Sequence, residues 1–232
     1  MDILRYKVTS VERMTKEVKV LRMEPEGQAL EYLPGHFAML HALDKDGNEI
    51  VKRPYSIASS PNSEYLEFCI KMIGGEMTSI LDKAREGSVI GVRGPMGHFT
   101  YNKEAECAFV AGGTGLAPFM SMLRYIKEEG IKGKFTLFYS ARTRKLLLYR
   151  EELKELAKDD CIEVVITLTR EEPKDWEGET GRINEAMLIR SVGELAGKKW
   201  FLCGPLKMTI STRNTLLKEG VSQEDVKFEG WG

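Results

Sequence analysis

The sequence predicts two domains: an antiparallel six-stranded β-barrel over residues 1–101, then an α/β domain with a parallel sheet over residues 102–232. Three observations predict this. Short strand-like runs broken by Gly and Pro turns fill the first part of the chain. From Cys107 onward, strand-like and helix-like segments alternate, which implies parallel strands flanked by helices. Within that second regime, Ala111 to Pro118 forms a glycine-rich turn placed directly after an apolar strand and before a helix.

The first strands are Ile3 to Val11 and Glu17 to Met23. His36 to Leu43 follows a Pro34-Gly35 turn, and Asp44-Lys45-Asp46-Gly47-Asn48 is turn chemistry. Val51 to Ala58 and Tyr65 to Met72 come next. In the second of these, Leu66, Phe68, Ile70 and Met72 share one face and Glu67, Cys69 and Lys71 the other, the pattern of a half-buried antiparallel strand. Met77, Ile80, Leu81 and Ala84 have helical spacing, and Val89 to Val92 returns to strand. The boundary falls in Tyr101-Asn102-Lys103-Glu104. In the second domain, strands at Cys107 to Ala111, Phe135 to Ser140, Ile162 to Thr169 and Lys199 to Cys203 alternate with helices. Those helices run over Leu116 to Glu129, Leu147 to Ala157, Ile183 to Ile189 and Leu206 to Glu219, and Val226 to Phe228 is a last short strand.

Bulk properties narrow the function. With 232 residues, each half has enough chain to bury a core. A net charge of -1 provides no drive toward nucleic acid or an anionic membrane. No apolar run reaches the length of a membrane span. The opening MDILRYKVTS lacks the basic and apolar regions of a signal peptide, so a cytoplasmic location is expected. Cys69, Cys107, Cys161 and Cys203 form no CxxC pair, and His36, His41 and His98 form no spaced set; no metal site is expected.

Four segments carry chemistry. In Gly112-Gly113-Thr114-Gly115-Leu116-Ala117-Pro118, glycines permit close backbone approach, and the helix start offers free N–H groups to a pyrophosphate. Pro118 tolerates an early helical position because its missing N–H costs nothing there. A packing turn is the plain alternative. At the end of the next strand stand Ser140, Arg142, Arg144 and Lys145, where an adenosine ribose commonly lies; a solvated basic loop is the alternative. Arg53-Pro54-Tyr55-Ser56 offers a guanidinium for phosphate, a ring for stacking and a hydroxyl to donate. Gly74-Gly75 followed by Thr78 and Ser79 is a second candidate pyrophosphate cradle.

Taken in order, these segments with Gly94-Pro95-Met96-Gly97-His98-Phe99, Cys203-Gly204-Pro205 and Phe228-Glu229-Gly230-Trp231 resemble the ferredoxin–NADP reductase-like flavoprotein family. The resemblance spans almost the whole chain. It implies a barrel that binds FAD and an α/β domain that binds NAD(P)H. Arg53 would contact the FAD phosphates, with Pro54 beside it. Tyr55 would pack on the isoalloxazine and Ser56 would sit near flavin N5. Gly74, Gly75, Thr78 and Ser79 would hold the FAD pyrophosphate. Gly113, Thr114, Gly115 and Pro118 would hold the dinucleotide, with Ser140 and Arg142 at its adenosine end. Ser56, Cys203 and Glu229 would form the reaction centre. Trp231 would meet the flavin, although Gly232 stands after it here. Pro34-Gly35-His36-Phe37 resembles the family's Pro-Gly-Gln-Tyr/Phe turn, and no role is carried onto His36. Some relatives hold an iron–sulfur cluster or a fused ferredoxin; the sequence has no cysteine cluster, so a separate redox-protein acceptor is expected. Three readings stand beside the reductase: a subunit of a larger electron-transfer complex, a reductase of free flavins, and a regulatory nucleotide binder without redox activity.

Overall fold

The computed structural model describes residues 2–231; Met1 and Gly232 lie outside the described residues, so the expectation that rests on Gly232 beside Trp231 does too. The chain divides into two compact units. One comprises the residues up to Tyr101 together with Ala117–Glu128; the other comprises Asn102–Leu116 and the residues from Glu129 onward.

In the first unit six strands form one antiparallel sheet: β1 (Leu4–Arg13), β2 (Val18–Pro25), β3 (Phe37–Leu43), β4 (Glu49–Ser56), β5 (Leu66–Lys71) and β6 (Val89–Met96). Their order is β4-β3-β6-β1-β2-β5. The edge strands β4 and β5 meet only through a bridge between Ile57 and Phe68, so the expected barrel is not closed by a continuous ladder. The cause is local. Past Ser56 the chain leaves strand geometry, and a single backbone bond, from Ala58 N–H to the Glu67 carbonyl at 2.8 Å, extends the junction. Val8, Leu21, Leu40, Phe68, Ile70 and Val92 fill the core. Helix α1 (Glu76–Lys83) packs Met77 and Leu81 into the same core.

Strand β5 corrects the half-buried reading. Its apolar face is buried as expected, but Glu67 on the opposite face is also fully buried. Helix α2 (Ala117–Glu128) covers that face and sends Arg124 to Glu67. No local periodicity announces a helix that arrives from fifty residues downstream.

The second unit holds a six-stranded parallel sheet of β7 (Glu106–Gly112), β8 (Lys134–Ala141), β9 (Ile162–Leu168), β10 (Glu179–Thr180), β11 (Lys199–Pro205) and β12 (Val226–Trp231). Helices α3 (Arg150–Leu156), α4 (Glu185–Val192) and α5 (Leu206–Lys218) belong to it. The order is β10-β9-β8-β7-β11-β12. Two details depart from the sequence reading. The two-residue strand β10 is too short to leave a periodic signal. Helix α3 begins only at Arg150, because Leu147, Leu148 and Tyr149 are buried and Tyr149 takes a left-handed conformation with φ of 52°.

Candidate functional site

Strand order fixes where a ligand can enter the second unit. From β7 the chain passes to β8, then to β9 and β10, on one side; β11 and β12 lie on the other. The order therefore reverses between β7 and β11, and in open α/β sheets ligands bind beyond the carboxyl ends of strands at such a point. Both Gly/Pro motifs of this unit converge there. Beyond β7 comes a single 3₁₀ turn, Gly113–Leu116, and β11 ends on Cys203-Gly204-Pro205. A Cβ on Gly115 would lie 2.2 Å from the Cys203 carbonyl oxygen, so only glycine lets this turn rest on β11. Gly113 has φ of 57°, is exposed, and has open space where a Cβ would project. Thr114 is half-buried, and Pro118 is buried as the second residue of α2.

Other predicted residues surround the same strand ends. Ser140 lies opposite Gly112 in the β7–β8 ladder. Arg142 stands one residue beyond β8; it is exposed and has no carboxylate partner among the described residues. Arg144 differs. Its Nη1 lies 2.7 Å from Asp175, its backbone N–H donates to Glu171, and its guanidinium lies over the Trp176 ring. The basic loop read from sequence is therefore partly neutralised by the segment after β9.

Cys203 pairs in register with Ala111 on one side and Glu229 on the other. It is fully buried, and burial, reinforced by the nearby Glu229 carboxylate, pushes its thiol well above the usual thiol range. Cys203 thus presents a neutral, soft surface rather than a thiolate nucleophile. Burial also raises the Glu229 carboxyl. Trp231 ends β12 opposite Pro205 and is substantially exposed.

In the first unit, β3 gathers three sequence-distant motifs. Phe37 of the Pro34-to-Phe37 turn lies opposite Ser56 on one side and opposite Met96 on the other. Arg53 and Pro54 are exposed, whereas Tyr55 and Ser56 are half-buried, with Tyr55 packed against the core. Arg53 donates to the Lys52 carbonyl and has no carboxylate partner among the described residues. Spacing alone does not link His36 to His98. In the fold they flank the Phe37–Met96 pair of β3 and β6; burial first, and the charge of His98 second, push the His36 imidazole down. His36 Nδ1 accepts from the Leu33 N–H.

The Gly74-Gly75 segment opens onto α1. Gly75 is the N-cap and supplies no side-chain cap, and Glu76 to Thr78 precede the first intrahelical donor, Ser79. The Thr78 hydroxyl is turned back to the Gly75 carbonyl at 3.0 Å, while Ser79 is exposed. No atom lies within 4 Å of a Cβ built on Gly74. An uncapped helix start beneath open glycine backbone fits a pyrophosphate.

Comparison with known proteins agrees with this geometry. Residues 5–101 match the oxidoreductase FAD-binding domain family, and residues 109–214 match the oxidoreductase NAD-binding domain family. Ferredoxin–NADP reductase B of Sorangium cellulosum is 32% identical over 236 residues, which cover 96% of this chain and 95% of that protein. The chain belongs to the ferredoxin–NADP reductase-like flavoproteins. As a member of that family it is an NAD(P)H-dependent oxidoreductase with FAD and NAD(P)H as cofactors. The naphthalene 1,2-dioxygenase system ferredoxin–NAD(P)+ reductase component of Pseudomonas putida is 28% identical over 228 residues, covering 97% of this chain and 67% of that protein. A crystal structure of a ferredoxin NADP+ reductase from Neisseria gonorrhoeae, with bound FAD and NADP, superposes with a TM-score of 0.85. It is 20% identical and covers 99% of each chain, so it speaks for the fold. No helix among the described residues is long and apolar enough to cross a membrane.

Proposed function

We propose that this flavoprotein takes electrons from NAD(P)H and delivers them to a separate redox protein, a ferredoxin or an oxygenase component. The observation that carries the reading is the convergence of the Gly113–Leu116 turn and the Cys203-Gly204-Pro205 end at the reversal of strand order. When bound, FAD supplies the redox chemistry that the side chains lack. The chain's own residues bind and orient. Residues 1–101 act as the FAD domain and residues 102–232 as the NAD(P) domain. Arg53 holds phosphate with a guanidinium that no carboxylate engages among the described residues, Pro54 stiffens the strand, and Tyr55 presents its ring to the isoalloxazine. The Ser56 hydroxyl donates at N5. Gly74, Gly75, Thr78 and Ser79 line the pyrophosphate cradle of α1.

On the nucleotide side, Gly113, Thr114 and Gly115 hold the pyrophosphate, and Pro118 sets the first turn of the following helix. Ser140 and Arg142 meet the adenosine end. Cys203 and Glu229 border the nicotinamide, the first as a neutral packing surface and the second as a carboxyl whose proton is held more firmly than usual. Trp231 flanks the flavin. A cytoplasmic location suits four free cysteines. The acceptor class rests on the names of the two relatives, one a ferredoxin–NADP reductase and one a dioxygenase-system reductase component.

Steady-state turnover with NADH and NADPH against a panel of ferredoxins, flavodoxins, oxygenase components and free flavins tests this reading. Saturable reduction of a redox protein at low concentration supports it; turnover with free flavins alone overturns the acceptor assignment. In the same assay NADPH is expected to serve at least as well as NADH. Arg142→Ala should lower the NADPH/NADH ratio of kcat/KM about tenfold, the low end for a charge-assisted contact because Arg142 is exposed. An unchanged ratio would mean that Arg142 does not read the 2′-phosphate.

A further inference from the structure

The first unit buries one charged cluster that neither nucleotide site uses. Glu67, the second residue of β5, is fully buried. Its Oε1 accepts from Arg124 Nη1 at 2.8 Å and its Oε2 from Arg22 Nε at 2.7 Å. Two arginines on one buried carboxylate are costly to assemble, and the desolvation is offset only by good geometry. The cost calls for a reason beyond stability.

The surrounding bonds supply one. The same Arg124 nitrogen also donates to the Ala58 carbonyl at 2.7 Å. The Ala58 N–H donates to the Glu67 carbonyl, and the Glu67 N–H donates to the Ser59 hydroxyl at 3.0 Å. Tyr32 brings its hydroxyl 2.8 Å from Ser59 Oγ and donates to the Ser60 carbonyl. The Ser60 hydroxyl donates to the Glu128 carboxylate. Every one of these contacts grips residues 58–60, the segment directly downstream of Ser56, at the gap where β4 and β5 fail to form a ladder. Arg124 and Glu128 both come from α2, the helix that comes directly after the Gly113–Leu116 turn in the chain.

We propose that Glu67 and Arg124 are positioning residues for hydride transfer, fixing through Ala58 and Ser59 the strand end that carries Ser56. The proposal rests on Ser56 being the residue that faces the flavin. A one-residue tether leaves little slack: a shift of Ala58 shifts the Ser56 backbone. Displacement of a reacting group by a fraction of an ångström lowers the rate without releasing the ligand. Arg124 holds α2 by the same bond that holds Ala58, so a shift in the helix reaches the Ser56 segment directly.

The test compares Glu67→Gln, Arg124→Met, Arg124→Lys and Ser60→Ala in the FAD-loaded protein by anaerobic stopped flow with NADH and NADPH. Glu67→Gln and Arg124→Met should retain one FAD per chain yet lower the flavin reduction rate at saturating nucleotide by about tenfold, with nucleotide KM changed less than about twofold. Arg124→Lys should restore most of the rate, and Ser60→Ala should slow it about threefold. A melting temperature that falls while the reduction rate stays at the wild-type value would make the cluster purely structural and overturn the inference. Should the first two variants fail to fold, Ser60→Ala decides: a wild-type rate there also overturns it. Wild-type protein that holds FAD but is not reduced by either nucleotide would instead defeat the functional reading. Slow reduction in Ser56→Ala beside normal reduction in Glu67→Gln would defeat this inference alone.

Discussion

Replacing Gly115 by alanine is expected to leave FAD bound while kcat/KM for the nicotinamide nucleotide falls roughly 30- to 150-fold, about 2–3 kcal/mol of strain expressed in nucleotide binding. The new methyl carbon would stand 2.2 Å from the Cys203 carbonyl oxygen and 2.6 Å from its carbonyl carbon. Both are backbone atoms of a central strand, bonded to β7 on one side and β12 on the other, and cannot swing aside as a side chain would. Relief requires the turn to lift from β11, which displaces the N–H groups of Gly113 and Thr114 from a bound pyrophosphate. The proposed FAD contacts all lie in the first unit apart from Trp231, so flavin content should persist. Kinetic titration alongside released-flavin analysis checks this. Wild-type kinetics in Gly115→Ala would mean that the turn does not depend on its contact with β11.

Ser56→Ala is expected to slow flavin reduction about 5- to 150-fold, as the loss of one hydrogen bond of about 1–3 kcal/mol at the reacting atom implies. Ser56 is the last residue of β4 and is half-buried, so a hydroxyl there is partly shielded from competing water. Alanine fits the same strand position, and the core should not notice. Reduction at saturating nucleotide isolates the step from binding. A fully flavinated variant with an unchanged rate would remove Ser56 from the reaction.

The elements legible in the sequence are those with local causes. Alternation marks Leu66, Phe68 and Ile70 as the core-facing residues of β5, because successive strand residues point to opposite faces. The glycine turn before α2 stands out because close backbone approach at Gly115 leaves few residue choices, and the pair before α1 because Gly74 takes a φ of 76°. The features that stay hidden depend on distant partners. Glu67 looks like a solvent-facing strand residue until α2 covers it with Arg124. Arg142 and Arg144 are alike as letters; only the fold brings Asp175 to one and leaves the other uncommitted. His36 precedes and His98 follows the Phe37–Met96 pair of β3 and β6, a juxtaposition that spacing cannot reveal. Cys203 is legible as a strand-end residue, but its burial, and with the Glu229 charge its neutral thiol, is a product of the tertiary fold. A closed barrel is a fair extrapolation from six strands; the departure of residues 57–60 from the sheet, held by Glu67, is a tertiary event.

The most direct measurement is a single-turnover reaction of the purified wild-type chain, its cofactor first identified by release and chromatography, mixed anaerobically with NADH or NADPH. One FAD per chain is expected, with a loss of flavin absorbance whose rate saturates with nucleotide concentration. Recovery of FMN, or FAD that stays oxidised while nucleotide binds, would contradict hydride transfer from NAD(P)H to a bound FAD.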